Sequence, residues 1–314
     1  MRPSEAPIPL FEKARELYAI ARLKFKTTYD KTRLECFIHS LFQDIEEYNR
    51  YLLTYSHKSL YESKVFEIGF GPRPYRLLAL IGLGIEAWGI DLDIPVLEGT
   101  IGQWLELLKK NGLERFLKSF FRFYLFDLKE RKELEKSLKM KKGAFTIPKE
   151  RLWVGDAAEL ELPCSSFDLI FSEDVFEHIP KERLEILVAK MGLWLKPGGL
   201  ALIRPMVYTG IAGGHLAEWF PGNISSGLIS KKSEPWEHLR KNRFQPNTYL
   251  NKLWRKDYRF LFSKHFLILE EKVKYPALGQ EWLTEEIKKE LSCYPEEELL
   301  SNNVLFVLQK PRTG

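Results

Sequence analysis

From residue 64 onward the sequence alternates between short apolar runs and segments with helical periodicity, and this alternation restricts the possible folds more than any other feature. Strands that alternate with helices form a mostly parallel sheet that is covered on both faces. The predicted strands lie at 64–70, 86–92, 151–157, 167–174, 200–207, 266–275 and 303–311. We therefore predict an α/β fold built around one sheet of seven strands.

Three segments depart from this alternation. Residues 1–60 have apolar residues at helical spacing and predict an N-terminal helical extension that lies against the core. Residues 94–150 read as mostly helical, whereas residues 208–258 are irregular and rich in Gly, Pro, Trp and His. Long irregular segments after a strand are often functional. We therefore predict one domain at 61–312 with a helical insertion at 94–150 and a substrate-side insertion at 208–258.

The composition is typical of a soluble globular enzyme, since 45% of the 314 residues are hydrophobic and 29% are charged. No run of 18 apolar residues occurs, so we expect no membrane span. The first residues do not resemble a secretion signal. Cys36, Cys164 and Cys293 are few, odd in number and far apart, which favours a reducing, cytoplasmic location. The six histidines show no HxH or HExxH spacing, so we predict no metal site.

A glycine turn follows the first predicted strand. Gly69 and Gly71 allow the backbone to approach a ligand and to adopt positive φ. Asp91 ends the second strand, where a carboxylate can accept hydrogen bonds from both hydroxyls of a ribose. A dinucleotide-binding turn would place its third glycine at residue 74, but Pro74 stands there, and no GKS or GKT of a P-loop occurs. The pattern predicts a nucleoside ligand and disfavours NAD.

Glu67, Gly69 and Gly71 resemble the first motif of the class I S-adenosylmethionine-dependent methyltransferases, D/E-x-G-x-G-x-G, with Arg73 in place of the last glycine. The stretch around Asp156 and the LKPGGLALI segment resemble later motifs of that family. The resemblance covers about 60–70, 86–92, 151–207 and 260–311, somewhat under half of the chain. It implies a Rossmann-like sheet in the order 3-2-1-4-5-7-6 and S-adenosylmethionine as the cofactor. Arg73 would either cap the methionine carboxylate or face solvent.

The resemblance also implies roles for the residues at the strand ends. Asp91 would hold the ribose, and Asp156 with the amide of Ala157 would bind the adenine edge. Glu67 and the backbone around Gly69 would face the methionine ammonium. Alternatively, Asp91 only terminates a strand and Asp156 is a plain turn acid. The remaining predicted cofactor residues are Gly71 and Glu173.

Transfer of a methyl group to a hydroxyl needs alignment, exclusion of water and a base for the proton. Candidate bases after the fourth strand are Asp174, Glu177 and His178, although Asp174 could instead cap a helix and His178 could support structure near the site. His215 follows two glycines in the insertion at 208–258 and is our first choice for a base or substrate contact. We therefore predict His215, His178 and Asp174 as catalytic residues.

Aromatic side chains interspersed with hydrogen-bond donors in the second insertion suit a sugar or another polar ring. Alternatively, Trp219 and Trp236 simply anchor the insertion to the body of the protein. We predict a methyltransferase that acts on a small-molecule or glycan-like acceptor at oxygen. The rival hypotheses are a non-catalytic nucleoside-binding protein with the same fold and an NAD-dependent oxidoreductase.

We do not expect nucleic acid as a partner, because no NPPY or DPPY follows the fourth strand and no strong basic stripe occurs. Aromatic and basic residues are concentrated at 113–142. Three interpretations of this segment stay open. Its aromatic residues form a stripe that is buried against the body of the protein, the segment is a lid over the site, or it is a surface that contacts a membrane or a lipid-linked substrate.

Overall fold

The computed structural model describes residues 18, 21–22, 24–26, 28–139, 149–226, 233–244, 246 and 248–312. Its strands are β1 (Lys64–Ile68), β2 (Glu86–Asp91), β3 (Leu152–Val154), β4 (Phe167–Glu173), β5 (Leu195–Arg204), β6 (Leu267–Val273) and β7 (Val304–Gln309). They form one sheet in the order β3-β2-β1-β4-β5-β7-β6, which confirms the predicted fold class. Strands β1 to β5 are parallel, and β7 runs antiparallel to both β5 and β6.

Helices connect most of these strands. The α-helices are α1 (Lys31–Tyr51), α2 (Tyr75–Gly82), α3 (Ile101–Arg122), α4 (Leu128–Ser137), α5 (Lys181–Trp194), α6 (Pro221–Ser226), α7 (Glu237–Arg240), α8 (Arg255–Ser263), α9 (Glu285–Glu290) and α10 (Glu296–Leu299). The 3₁₀ segments are Leu60–Glu62, Lys149–Arg151, Phe176–His178, Ala217–Trp219 and Gln280–Trp282, and the π segments are Leu52–Ser56 and Phe123–Asp127.

The sheet is buried on both faces. Successive residues of β4 alternate between two hydrophobic clusters, because side chains of a strand point to opposite faces in turn. Leu169 and Phe171 pack in the cluster with α1 and α2, whereas Ile170 packs in the cluster with α5 and α8. This double coverage explains why the central strands read as continuous apolar runs rather than as alternating patterns.

The N-terminal extension covers the first face of the sheet through α1. This helix begins where the Asp30 side chain accepts a hydrogen bond from the amide of Arg33, and it buries Leu34 and other apolar residues of one face. Earlier in the chain, Tyr18 and Phe25 are helical but exposed, at 69% and 53%. The apolar residues at helical spacing before residue 30 are therefore not buried at these two positions, and Phe11 and Ala14, which belong to the same pattern, lie outside the described residues.

The helical insertion is a pair of helices with a kink. Helix α3 changes direction at Gly112, whose φ is 78°. Trp104 packs against Phe120 and Phe123, so part of the predicted aromatic stripe is buried. The exposed large apolar residues of α3 and the following π segment are Ile101, Leu105, Leu108, Leu113, Leu117, Phe121, Tyr124 and Leu125. In the described ranges no helix combines the length and the apolar character that a bilayer crossing requires. Residues 140–142, at the end of the aromatic and basic segment 113–142, lie outside the described residues.

Candidate active site

Asp91 ties the glycine turn to the end of β2. Its Oδ2 atom accepts a hydrogen bond from the amide of Gly71 at 2.7 Å, and its Oδ1 atom accepts one from the amide of Asp93 at 2.7 Å. Gly69 and Gly71 have φ values of 82° and 66°, which glycine adopts without strain. Burial raises the pKa of Asp91, and the two amide hydrogen bonds oppose that rise. Each carboxylate oxygen keeps a further lone pair that can accept from a ribose hydroxyl.

Glu67 is buried in β1, next to the glycine turn. Burial raises the pKa of Glu67 to about 8; Arg76 opposes this rise, while Glu173 and Asp91 add to it. Among the described residues, the Oε2 atom of Glu67 has no hydrogen-bond partner. A buried acceptor without a donor is costly, and an ammonium group placed at the glycine turn would supply that donor.

Glu173, at the end of β4, is held by side chains from three other elements. The hydroxyl of Tyr48 in α1 donates to Oε1 at 2.8 Å, and Arg204 Nη1 lies 3.0 Å from Oε2. Arg76 of α2 adds a longer contact of 3.9 Å. This buried network attaches α1 to the carboxyl ends of β4 and β5, and the predicted contact of Glu173 with the cofactor stays a prediction.

Asp156, after β3, pairs with Arg183 of α5. Arg183 donates to the Oδ2 atom of Asp156 from Nη2 at 2.6 Å and from Nε at 3.0 Å. The Oδ1 atom accepts from the amide of Ala158 at 2.8 Å, and Ala157 lies half-buried beside it. The predicted adenine-contacting acid is thus oriented by a helix on the second face of the sheet. The sequence reasoning missed Arg183, because the solvated face of an amphipathic helix gives no sign of this pairing.

Arg73, which replaces the last glycine of the motif, contacts the helical insertion. Its Nη1 atom lies 3.4 Å from Oε2 of Glu130, a buried residue of α4. Glu130 also accepts hydrogen bonds from Thr28 at 2.7 Å and from Tyr75 at 3.1 Å. Arg73 therefore does not simply face solvent, and its proposed contact with a methionine carboxylate would compete with Glu130.

A cavity of about 340 Å³ lies at the carboxyl ends of β4 and β5. Its lining includes Asp174, His178 and His215, so the fold brings the three predicted catalytic residues together. Asn303 donates a hydrogen bond of 2.6 Å to the Oδ1 atom of Asp174. Burial raises the pKa of Asp174 to about 6, and the nearby Glu173 adds to this rise. The cavity thus holds a carboxyl group that can exchange a proton near neutral pH.

Glu177 is not among the residues that line the cavity, but its side chain faces His215, with 3.8 Å between its Oε1 atom and the Nε2 atom of His215. In the part of the chain that the structure describes, both carboxylate oxygens of Glu177 and Nε2 of His215 are buried without a hydrogen-bond partner. The backbone amides of Glu177 and Met206 lie near this carboxyl group and lower its pKa, but by less than burial raises it. Burial raises the pKa of Glu177 well above its ordinary value and, with His178 and His238, lowers that of His215 to about 3. Unsatisfied buried groups of this kind are rare in folded proteins.

His178 is held in place by the second insertion. Its Nδ1 atom lies 3.0 Å from the carbonyl oxygen of Tyr249, and its ring centroid lies 4.9 Å from that of His215. Asn251 donates from Nδ2 to the carbonyl oxygens of Phe176 at 2.8 Å and Ile179 at 3.1 Å. These bonds clamp the turn that carries Glu177 and His178. The sequence showed that Asn251 belongs to the insertion but gave it no role.

Two glycines direct His215 into the cavity. A Cβ atom on Gly213 would lie 2.3 Å from the carbonyl oxygen of Tyr208, and one on Gly214 would lie 2.5 Å from Cγ of His238. Side chains at these positions would push the loop outward. His215 itself has a φ of 51°, so the chain turns sharply at this point.

The tryptophans of the second insertion anchor it rather than line the cavity. Trp219 and Trp236 are buried, at 2% and 0% exposure. Their indole Nε1 atoms donate to Oγ of Ser233 at 2.8 Å and to the carbonyl oxygen of Thr209 at 3.2 Å. Trp219 and Trp236 therefore anchor the insertion to the body of the protein. They do not form the aromatic surface that was expected to bind a sugar.

One segment of the chain is similar to a known family. Residues 103–203 match a family model described as a methyltransferase domain, a range that begins in α3, ends within β5 and omits the glycine turn. No curated protein sequence matches the chain. The family match and the sheet order confirm the predicted resemblance to the class I S-adenosylmethionine-dependent methyltransferases and support the predicted cofactor.

Solved structures with a similar arrangement are distant in sequence. A protein from Pyrococcus horikoshii is 15% identical with a TM-score of 0.44, over 91% of this chain and 95% of that chain. A SAM-dependent methyltransferase from Archaeoglobus fulgidus is 13% identical with a TM-score of 0.42, over 85% of this chain and 94% of that chain. Likeness at this level says nothing about the substrate.

Proposed function

We propose that this chain is an S-adenosylmethionine-dependent methyltransferase that methylates an oxygen atom of a small-molecule or glycan-like acceptor. The observation that carries the proposal is the cavity at the carboxyl ends of β4 and β5, with Asp174, His178 and His215 on its wall. Ligands of parallel α/β sheets bind at this edge. Gly69 packs against Val175, which directly follows Asp174, so the donor and acceptor sites would share a wall.

The residues around the glycine turn fit the cofactor because they are acceptors. S-adenosylmethionine has ribose hydroxyls and an ammonium group but no phosphate. Asp91 offers two oxygens to the ribose, and Glu67 offers the ammonium an oxygen that has no partner within the described residues. Asp156, oriented by Arg183, and the amide of Ala157 would face the adenine. The pyrophosphate of NAD would instead need donors, which disfavours the oxidoreductase hypothesis.

The chain's own residues would align the acceptor, exclude water and take up its proton. In the transfer, the methyl–sulfur bond breaks with its electron pair left on sulfur, a carbon–oxygen bond forms, and the hydroxyl proton leaves. Asp174 and His215 are the candidate proton acceptors in the cavity. Burial lowers the pKa of His215 to about 3, so its imidazole is neutral at pH 7, and burial raises the pKa of Asp174 to about 6, which makes Asp174 the stronger base of the two.

The rival hypothesis of a non-catalytic nucleoside-binding protein explains less. Such a protein needs the acceptors Glu67 and Asp91 at the glycine turn. It has no use for Glu177 and His215, whose buried Oε1, Oε2 and Nε2 atoms have no hydrogen-bond partner within the described residues. Buried groups without partners cost stability and are expected mainly where they serve a function. Catalysis accounts for both sets of residues.

The cofactor is tested by thermal unfolding with S-adenosylhomocysteine, S-adenosylmethionine or NAD. A ligand at a hundredfold excess over its dissociation constant adds about 2.7 kcal/mol to the stability of the folded state. We expect a rise in Tm with the two sulfur nucleosides, lost in Asp91→Asn and kept in Asp93→Asn. Asp93 is the matched control because it lies two residues away, its side chain pairs with Arg115, and its substitution keeps the backbone amide that donates to Asp91. A rise with NAD alone would refute the proposal.

The acceptor atom is tested with methyl-labelled S-adenosylmethionine and paired acceptors that differ only in carrying a hydroxyl or an amine. We expect label in the hydroxyl compounds, in an ether linkage stable to mild base. Transfer only to amines would overturn oxygen methylation while leaving the cofactor assignment intact. Cofactor binding without transfer to any member of a broad hydroxyl panel would favour the non-catalytic rival.

A further inference from the structure

We propose that Glu177, His178 and His215 bind one divalent first-row transition-metal ion. The geometry that points to this site is a convergence of three ligand-type atoms, one from each residue, all within 4.8 Å of one another. The site does not depend on the cofactor. Its chemical role, described below, rests on the proposed methyl transfer to oxygen.

The distances suit a shared ion better than a direct hydrogen bond. In a tetrahedral zinc site, nitrogen and oxygen ligands at about 2.0–2.2 Å from the metal lie roughly 3.3–3.5 Å from each other. Oε1 of Glu177 and Nε2 of His215 are 3.8 Å apart, too far for a hydrogen bond and a few tenths of an ångström from that value. Small side-chain rotations would place an ion between them.

The unsatisfied atoms give an independent reason. Glu177 is 3% exposed, and within the described residues neither of its carboxylate oxygens has a hydrogen-bond partner. Nε2 of His215 is likewise buried and unpartnered there. An isolated buried carboxylate is strongly destabilising, whereas a divalent cation compensates the charge and satisfies the imidazole lone pair in one step. One ion therefore explains both groups.

The surroundings are those of metal-binding histidines. A carbonyl oxygen can only accept, so Nδ1 of His178, 3.0 Å from the carbonyl of Tyr249, carries the hydrogen and leaves the lone pair on Nε2. Hydrogen bonds of this kind fix the tautomer of metal-ligating histidines. Asn251 clamps the turn of Glu177 and His178, and packing at Gly213 and Gly214 directs His215.

The ligand set selects the class of ion. Two imidazoles and one carboxylate suit zinc, manganese, iron or cobalt, whereas magnesium and calcium prefer oxygen ligands alone. Three protein ligands also leave coordination positions open, as in catalytic sites. His178 and His215 line the cavity, so the open positions would face the acceptor.

At this site the ion would polarise the acceptor hydroxyl. Coordination of the oxygen lowers the pKa of the O–H group, so the proton leaves before or during attack on the methyl carbon. Asp174, on the same wall and not one of the three ligands, would take that proton. The oxygen keeps its electron pair to form the new bond with carbon, and sulfur keeps the pair of the broken bond. His215 then serves as a ligand rather than as the base.

The test is metal binding by the full-length chain after treatment with a chelator. Zinc, manganese, cobalt and magnesium are titrated separately by calorimetry, and the cobalt form is examined by visible absorption. We expect one transition-metal ion per chain, weak or undetectable magnesium binding, and a cobalt spectrum of a site with nitrogen ligands. Glu177→Gln and His215→Ala should weaken binding by roughly a hundredfold or more. The exposed His39→Ala and His265→Ala serve as controls and should bind normally.

S-adenosylhomocysteine binding by each variant shows whether it is folded and separates the two proposals. Metal binding without nucleoside binding would leave this site standing and remove the proposed function. Two outcomes overturn the site: no stoichiometric binding of any of these ions, or binding that Glu177→Gln and His215→Ala do not change in variants that still bind the nucleoside.

Discussion

Gly69 packs directly against Val175, and a Cβ atom on Gly69 would lie 2.2 Å from the Cγ2 atom of Val175. This contact joins two sites that the sequence separates by about a hundred residues. Gly69 belongs to the glycine turn proposed for the cofactor, and Val175 precedes the turn that carries Glu177 and His178. The spacing between the proposed cofactor and acceptor sites would therefore be set by a glycine.

Gly69→Ala should weaken cofactor binding. The substitution adds a collision with Val175 to the strain of a positive φ of 82°, so the glycine turn must move. We expect the affinity for S-adenosylhomocysteine to fall by about tenfold or more, measured by calorimetry. Gly84→Ala is the matched control: its φ is 80°, and no described atom lies within 4 Å of its Cβ position. It should cost about 1–2 kcal/mol of stability and leave the affinity unchanged. Equal affinity losses in both variants would contradict the packing argument.

Glu67→Gln should change how stability depends on pH. Burial raises the pKa of Glu67 to about 8, opposed by Arg76 and reinforced by Glu173 and Asp91, whereas the carboxyl group of the unfolded chain titrates near 4.5. Between these values the folded state holds a proton that the unfolded state has lost. The group therefore lowers the free energy of unfolding as pH rises from about 4.5 to 8, by up to about 1.4 kcal/mol per pH unit.

Glutamine does not titrate, so the stability of Glu67→Gln relative to the native chain should increase from pH 5 to pH 8. Urea unfolding at several pH values measures this difference. The control is Glu86→Gln, which makes the same substitution at an exposed residue at the start of the neighbouring strand. A flat profile for Glu67→Gln would show that its carboxyl group is solvated or paired in solution.

Asn251→Ala should weaken the metal site without touching any ligand. Its side chain donates two hydrogen bonds to the turn of Glu177 and His178, and each net contribution is about 1 kcal/mol. We expect metal affinity to fall by roughly tenfold to a hundredfold, with S-adenosylhomocysteine binding retained. The control is Asn49→Ala in α1. The side chain of Asn49 accepts a hydrogen bond from the amide of Leu60, so the substitution should lower the stability of the fold and leave the metal affinity unchanged. An unchanged metal affinity in Asn251→Ala would remove its positioning role.

The sheet could be predicted because local patterns determine it. The βαβ unit at 64–92, the acid at Asp91 and the helix that ends before β5 each follow from periodicity and turn residues, and the sheet order agrees with the resemblance. The grouping of Glu177 and His178 with His215 could not be predicted. These residues come from two loops, and only the packing of the second insertion brings them within reach, so histidine spacing in the sequence carries no signal of it.

The contacts of Glu173 could not be predicted either, because its partners come from α1, α2 and β5. These contacts lead to a prediction about α1. Tyr48→Phe removes a 2.8 Å hydrogen bond to a carboxylate in a buried network with Arg204. Burial raises the pKa of Tyr48 well above its ordinary value, so the hydroxyl stays a donor over the accessible pH range. We expect the free energy of unfolding to fall by about 1.5–3 kcal/mol in urea titrations. Tyr55→Phe also removes a hydrogen bond to a carboxylate, that of Glu270, but at a half-exposed position where water replaces it, so its effect should be smaller. If the two variants lose the same stability, α1 is not attached to the sheet through Glu173.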